Sequence, residues 1–192
     1  IGLSATPDKK NGKHELLFPF FGEEKFFIKR YQKKDFVVIK LNTNFKPKLI
    51  QNKQGILDWS TVVRSISSNL ERQKLIVDFC LKYKDHKILI LTKLVCTILG
   101  CENYKKCPCD HKKGESSKGL IPLLKEAGEN NFDYCCDSKK TTDESKRIII
   151  GTSGKLGVGY DSLCNLLILE SSFSDVRQFE GRCRTHNNII ID

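Results

Sequence analysis

Four short, nearly continuous apolar runs punctuate the chain: FVVIKL (36–41), KILILT (87–92), RIIIGT (147–152) and NLLILE (165–170), and NIIID closes it. Each is rich in Ile, Val and Leu and is bounded by polar positions. Apolar residues on consecutive rather than alternate positions are how strands buried on both faces of a parallel sheet read. Between the runs the period changes. In NLERQKLIVDFCLKYK, Leu70, Leu75, Ile76, Phe79, Cys80 and Tyr83 recur at helical spacing behind Asn69, a residue type that caps helix starts. LIPLLKEAG predicts a second helix stopped by Gly128, and SDVRQFEGRCR a third capped by Ser174. Strands alternating with helices predict right-handed β-α-β crossovers and an α/β fold, an open parallel sheet flanked by helices. Ligands of such sheets bind beyond the carboxyl ends of the strands. The strand exits Thr92-Lys93, Gly151-Thr152-Ser153 and Glu170-Ser171-Ser172 are therefore the places to look for function.

Charge sharpens this picture. The 192 residues carry 33 Lys+Arg against 23 Asp+Glu, a formal net charge of +10. The excess is clustered in KKNGK, KRYQKK, KPK, KYKDHK and HKKGESSK. Such clusters favour polyanions, nucleic acid above all, although lysine-rich surfaces also simply keep proteins in solution. The nine cysteines are odd in number and irregularly spaced. They suit a reducing, intracellular compartment and free thiols rather than a disulfide scaffold. No apolar run approaches the ~18 residues of a membrane span, and no export signal is visible, so no membrane partner is expected. The polar, cysteine-dotted stretch GCENYKKCPCDHKKGESSKG reads as part of an insert at about 94–140.

The glycine-rich GTSGKLGVGYD (151–161) follows a buried strand directly. It is not a Walker phosphate loop: Gly151 and Gly154 are too close, and Lys155 is followed by Leu156 rather than a hydroxyl residue. Nor is it a dinucleotide fingerprint, since its glycines read G-x-x-G-x-G. Either it brings backbone close to a ligand at a strand exit, closed by Asp161, or it is a tight turn. QFEGRCRTH (178–186) puts Gln178, Arg182 and Arg184 on or just past a helix. Arginines there can stabilise a transferring γ-phosphate or make surface ion pairs. Cys101, Cys107, Cys109 and His111 raise the question of zinc, with Cys135 and Cys136 available later. Zinc ligands are usually paired two to four residues apart, whereas CPC leaves one, so the cysteines are read as loose thiols and no metal ligand is assigned.

In order, GLSATP, ILILTK, IIIGTSGKLGVGYD and SDVRQFEGRCR resemble motifs III, IV, V and VI of superfamily-2 helicases. GLSATPDKKNGKHELLFPFFG and NLERQKLIVDF are similar to a narrower group, the XPB-like and phage helicases and the transcript-release helicases of poxviruses and other large cytoplasmic DNA viruses. The resemblance covers nearly the whole chain except the insert. It implies two RecA-like domains with ATP and Mg2+ in the cleft between them. Residues 1–30 would be the end of the first domain and the linker, and residues 31–192 the second domain. The phosphate loop and magnesium-binding acids belong to the first domain, which is the implied partner in cis, and this fragment alone is expected to be inactive as an ATPase. Residues 1–10 are expected to be poorly anchored.

The resemblance also implies roles. Ser4, Ala5 and Thr6 match motif III, which couples ATP state to the nucleic-acid grip. Thr92 and Lys93 match the exit of motif IV. Thr152 and the adjacent Ser153 belong to motif V, whose threonine contacts the nucleic-acid backbone, and Gly157, Gly159 and Asp161 are its nucleotide-side residues. Gln178, Gly181, Arg182 and Arg184 match motif VI, whose arginines approach the γ-phosphate. The family spaces those arginines as G-R-x-x-R, whereas GRCR sets them two apart; Arg182 is the matched position and Arg184 its rival. The expected function is the C-terminal motor domain of an ATP-dependent helicase or translocase acting on DNA rather than RNA, in host cytoplasm or the virion if viral. The alternative is a stand-alone basic, zinc-type nucleic-acid-binding module.

Overall fold

The fold is seen in a computed structural model that describes residues 36–39, 41, 43–109, 116–139, 141–156, 160, 163–171 and 188–191, with Pro19 alone before them. The chain divides into two compact units, Ile1–Lys33 and Lys34–Asp192, and apart from Pro19 every described residue belongs to the second. The elements are β1 (Phe36–Ile39), α1 (Trp59–Ser67), α2 (Leu70–Lys82), β2 (Ile88–Thr92), α3 (Val95–Leu99), α4 (Leu120–Glu126), β3 (Phe132–Cys135), β4 (Ile148–Thr152), α5 (Ser153–Leu156), β5 (Leu166–Leu169) and β6 (Asn188–Ile191). The strands form one six-stranded sheet in the order β1-β6-β5-β2-β4-β3. Every neighbouring pair is parallel. This is the open α/β sheet that the apolar runs predict, and all five runs contribute a strand.

The continuous apolar runs have a direct physical cause. Ile88, Leu89, Ile90 and Leu91 of β2 are all 0% exposed, because both faces of the sheet are covered. Register places Ile88 beside Ile148 and Leu166, and Ile90 beside Ile150 and Ile168. These six pack on one face with Ile76, Val77 and Cys80 of α2, Ile98 of α3 and the leucines of α4. Leu89, Leu91, Ile149, Leu167 and Leu169 face the other way, toward Leu156, Cys164 and Tyr160. Burying one such side chain stabilises by roughly 1.5–3 kcal/mol. The division of faces follows from handedness. From β1 to β2 and from β2 to β3 the chain moves across the sheet in one direction, through α2, α3 and α4. From β4 to β5 it moves back, through residues that pack on the opposite face. Right-handed crossovers in opposite directions must lie on opposite faces.

Three elements escape the expectations. Helix α1 (WSTVVRSIS) holds apolar residues at Trp59, Val62, Val63 and Ile66, which is helical spacing. Its Ser and Thr content disguises it, but Thr61, Ser65 and Ser67 are buried. Asp58 caps it, accepting from the Ser60 N–H at 2.9 Å and the Thr61 hydroxyl at 2.7 Å. Helix α3 and strand β3 lie within the stretch read as an insert at about 94–140. Among the described residues, 100–109 and 116–119 hold no helix or strand. Strand β3 is an edge strand whose first three residues are half-buried, so FDYC lacks the long apolar signature. The helix expected behind Ser174 and the predicted loose anchoring of residues 1–10 lie outside the described residues.

Candidate functional site at the carboxyl edge of the sheet

Parallel pairing carries the strand exits to a common edge. Thr92 and Thr152 are register partners on β2 and β4. Beyond them, Lys93 and Lys155 are exposed and Thr152 and Ser153 are half-buried. Thr92 itself is fully buried, and its hydroxyl donates to the Leu94 carbonyl at 3.2 Å, shaping the turn into α3. The chain turns sharply after β4 because residue 151 is glycine. A Cβ there would lie 2.3 Å from Leu156 Cδ1 and 3.1 Å from the Cys135 carbonyl oxygen. The missing side chain lets α5 fold back so that Leu156 seals the sheet. Of the other predicted residues, Ser4, Ala5, Thr6, Gly157, Gly159, Asp161, Gln178, Gly181, Arg182 and Arg184 lie outside the described residues.

Strand β2 is where the sheet's connections diverge, toward β4 and β3 on one side and from β5 to β6 on the other. In open α/β sheets this divergence is where a ligand crevice forms. Close to this divergence lies a buried polar node that spacing alone did not reveal. The Glu170 N–H donates to the Leu91 carbonyl at 3.0 Å, extending the ladder one residue past β5. Its carboxylate, wholly buried, accepts from the Ser171 hydroxyl at 2.5 Å and the Ser67 hydroxyl at 3.4 Å. It also accepts from the backbone N–H of Lys93. Arg72 donates to the Glu170 carbonyl at 2.8 Å and to the Thr43 hydroxyl at 3.3 Å. Burial raises the Glu170 carboxyl above the usual range; the Ser171 hydrogen bond and the Arg72 charge oppose it without winning.

The node continues under the sheet edge. Gln73, buried on α2, donates to the Ser67 carbonyl and the Ser117 hydroxyl, both at 2.6 Å, and accepts from the Gly119 N–H at 3.2 Å. The Ser117 N–H donates to Cys101 Sγ at 3.0 Å. A hydrogen-bonded path thus runs from the exits of β2 and β5 to a group of cysteines beyond α3. In that group Cys96, Cys101, Cys107 and Cys109 bring their sulfurs within 4.8 Å of one another. Cys101, Cys107 and Cys109 are three of the residues weighed for zinc from sequence. The fourth sulfur is that of Cys96, which helix α3 supplies, while His111 lies outside the described residues. Burial pushes the Cys107 thiol up to about 11, and a hydrogen bond to Cys96, followed by burial, raises Cys109 as well. Cys135 and Cys136 are buried in the sheet core instead. A signal existed for Glu170, which ends a buried apolar run, whereas Arg72 and Gln73 lie in the polar stretch ERQK and carried none. A charged or amide residue inside a helix or strand pattern that is otherwise buried is there for its partners.

The architecture and the shared edge define an open parallel α/β domain with a basic, hydroxyl-bearing rim. In comparison with known proteins, the chain is similar to helicase-named proteins of large DNA viruses. The chain is 27% identical over 191 residues to a protein provisionally named a helicase, 161L, of Invertebrate iridescent virus 6; the match takes in 98% of this chain and 43% of the relative. It is 28% identical over 197 residues to a second such protein, 055L of Frog virus 3 (isolate Goorha), taking in 100% of this chain and 41% of the relative. The chain therefore spans under half the length of either. No family model matches it. Among the described residues no helix is long and apolar enough to cross a membrane.

Proposed function

We propose that this chain is the C-terminal motor domain of an ATP-dependent superfamily-2 helicase or translocase. It completes an ATP site with motif V and VI residues and grips the nucleic-acid backbone at the carboxyl edge of its sheet. The observation that carries the reading is the pairing of β2 and β4, which sets the exits of the two strands matching motifs IV and V side by side. The helicase names of the viral relatives support the same class. Hydroxyls, backbone N–H groups and lysines at such an edge hold phosphates without reading bases. Thr152, Ser153, Lys93 and Lys155 are the groups for that role; the buried Thr92 serves by shaping the turn that presents Lys93. ATP and Mg2+ are held mainly by the first RecA-like domain. Closure of the two domains brings Arg182, or its rival Arg184, to the γ-phosphate, with Gln178 and Gly181 beside it and Gly157, Gly159 and Asp161 on the nucleotide side. Ser4, Ala5 and Thr6 couple the domains. DNA is the preferred polymer.

The competing reading, a stand-alone basic module built on the cysteine group, leaves the parallel sheet and the relatives' names without a role. The test is binding of a fluorescent oligonucleotide by the chain across a salt series. Affinity is expected to fall linearly in log-log form, and Lys93→Ala or Lys155→Ala each to lower the slope by about one. ATP turnover by the chain alone is expected to be nil. Salt-independent binding, or slopes untouched by both substitutions, would refute the proposed grip.

A further inference from the structure

The excursion from Gly100 to Gly119 poses a physical problem. It leaves and re-enters the fold at one point, where the two glycines sit back to back. Both have positive φ, +86° and +89°, and a Cβ on Gly119 would lie 2.2 Å from the Gly100 nitrogen. The Cys101 N–H donates to the Ser117 carbonyl at 2.9 Å, closing the neck. Within this loop the sequence is polar and lysine-rich, so it cannot build an apolar core of its own. What its described residues pack around is sulfur: Cys96, Cys101 and Cys109 are buried there, and among the described residues Leu94, Tyr104 and Cys107 add partly buried apolar surface.

The arrangement of that sulfur is specific. The distance from Cys96 Sγ to Cys109 Sγ is 3.6 Å and from Cys107 Sγ to Cys101 Sγ 3.3 Å, with all four atoms within 4.8 Å of one another. Tetrahedral zinc with Zn–S bonds of about 2.3 Å places its four sulfurs about 3.8 Å apart. Two separate thiol pairs would need two short distances only, not mutual proximity of all four. Backbone N–H groups already point at the sulfurs, Ser117 to Cys101 at 3.0 Å and Cys109 to Cys107 at 3.5 Å. Donors of this kind orient thiolate ligands and offset their charge. Lys105 and Lys106 are exposed on the same excursion, suiting a centre that carries net negative charge. The one-residue spacing of CPC is no obstacle. Residues 107–109 run without helix or turn, Pro108 disfavours helical backbone at Cys107, and in extended chain residues i and i+2 share a side.

We propose that Cys96, Cys101, Cys107 and Cys109 form a structural four-cysteine zinc site that staples the 100–119 excursion to the first turn of α3. Loading converts four thiols and Zn2+ into a tetrathiolate centre with release of four protons, and no redox change. The site is independent of the helicase reading, since it rests on the sulfur geometry alone. Its place at the end of the Gln73–Ser117 path makes it a structural neighbour of the strand exits.

Elemental analysis of the purified protein, expressed with zinc and handled without chelator, is expected to give one zinc per chain. Replacement by Co2+ is expected to give the ligand-field bands of a tetrahedral site together with thiolate-to-cobalt charge transfer. Cys107→Ser with Cys109→Ser should lose the metal, whereas Cys135→Ser and Cys136→Ser should retain it. Because the wild-type stoichiometry and cobalt spectrum need no variant, misfolding of the double variant does not blunt the test. Metal-free wild type whose thiols all react with Ellman's reagent would overturn the proposal. So would four thiols missing from that count in denaturant without reductant, which would mean two disulfides, or a cobalt spectrum without sulfur charge transfer.

Discussion

Glu170 offers a quantitative test of the polar node under the strand exits. Its carboxylate is buried and accepts from Ser171, Ser67 and the Lys93 N–H. Glu170→Gln keeps an acceptor oxygen, and the two serine hydroxyls can rotate to meet the new amide. Arg72 keeps its bond, which goes to the backbone carbonyl of residue 170 rather than to the side chain. The exchange therefore removes a buried charge and little else. Because burial raises the Glu170 pKa, the folded state holds a proton that the unfolded chain releases above about pH 4.3. That contribution is fully present below the unfolded pKa and fades as pH rises through the folded one. Relative to wild type, Glu170→Gln should thus gain in stability as pH rises above the unfolded pKa. Glu170→Ala behaves differently. It leaves up to three buried donors unpaired, each worth about 1–3 kcal/mol, and should destabilise by roughly 2–4 kcal/mol. Urea unfolding at several pH values, read by far-UV circular dichroism, measures both. If Glu170→Gln instead lost ground to wild type as pH rose through the acid range, by more than about 2 kcal/mol, Arg72 would be holding the carboxylate ionised, and the reasoning would fail.

Other consequences are more local. Arg147 donates to the Cys80 and Tyr83 carbonyls at the end of α2, both at 3.2 Å, and pairs with Glu129. Both side chains of the pair are 14% exposed, so Arg147→Ala should remove about 3–5 kcal/mol in urea unfolding. Burial pushes Glu129 up, but the Arg147 bond and the Asn131 N–H outweigh it and hold it below the usual range. Its contribution is therefore present above the unfolded pKa and lost as pH falls through the folded one, and Arg147→Ala should flatten the acid limb of the stability curve. Gly119→Ala sets a Cβ against backbone at positive φ. It should loosen the neck of the excursion, seen as faster proteolysis between residues 100 and 119, while a glycine in open space such as Gly128 should tolerate alanine better, paying only for its φ of +79°.

The parts of this fold legible in the sequence are those where burial is complete. Ile88–Leu91 and Leu166–Leu169 are apolar at every position because both sheet faces are covered. Asn69 announced α2 because a cap must satisfy a backbone N–H, and it accepts from Arg72 N–H at 2.9 Å. Edge strand β3 was hidden by half-burial, and α1 by serines and threonines that find partners inside the protein. The cysteine group shows the limit of spacing arguments. Cys96 sits in a helical run of apolar residues and reads as core, and only the chain reversal at Gly100 brings it to Cys101, Cys107 and Cys109. Glu170 was visible as a strand exit, but its burial depends on Ser67 and Arg72, about one hundred residues away in sequence.

The central proposal, that this domain completes an ATP site, is tested most directly by nucleic-acid-stimulated ATP turnover of the full-length protein. Wild type is compared with Arg182→Ala and Arg184→Ala, and oligonucleotide affinity is measured alongside. An arginine that stabilises the transferring γ-phosphate contributes about 10³–10⁵ in rate. The account predicts a loss of that order for Arg182→Ala, a smaller one for Arg184→Ala, and unchanged affinity for nucleic acid in both. Turnover at the wild-type rate in both variants would contradict it.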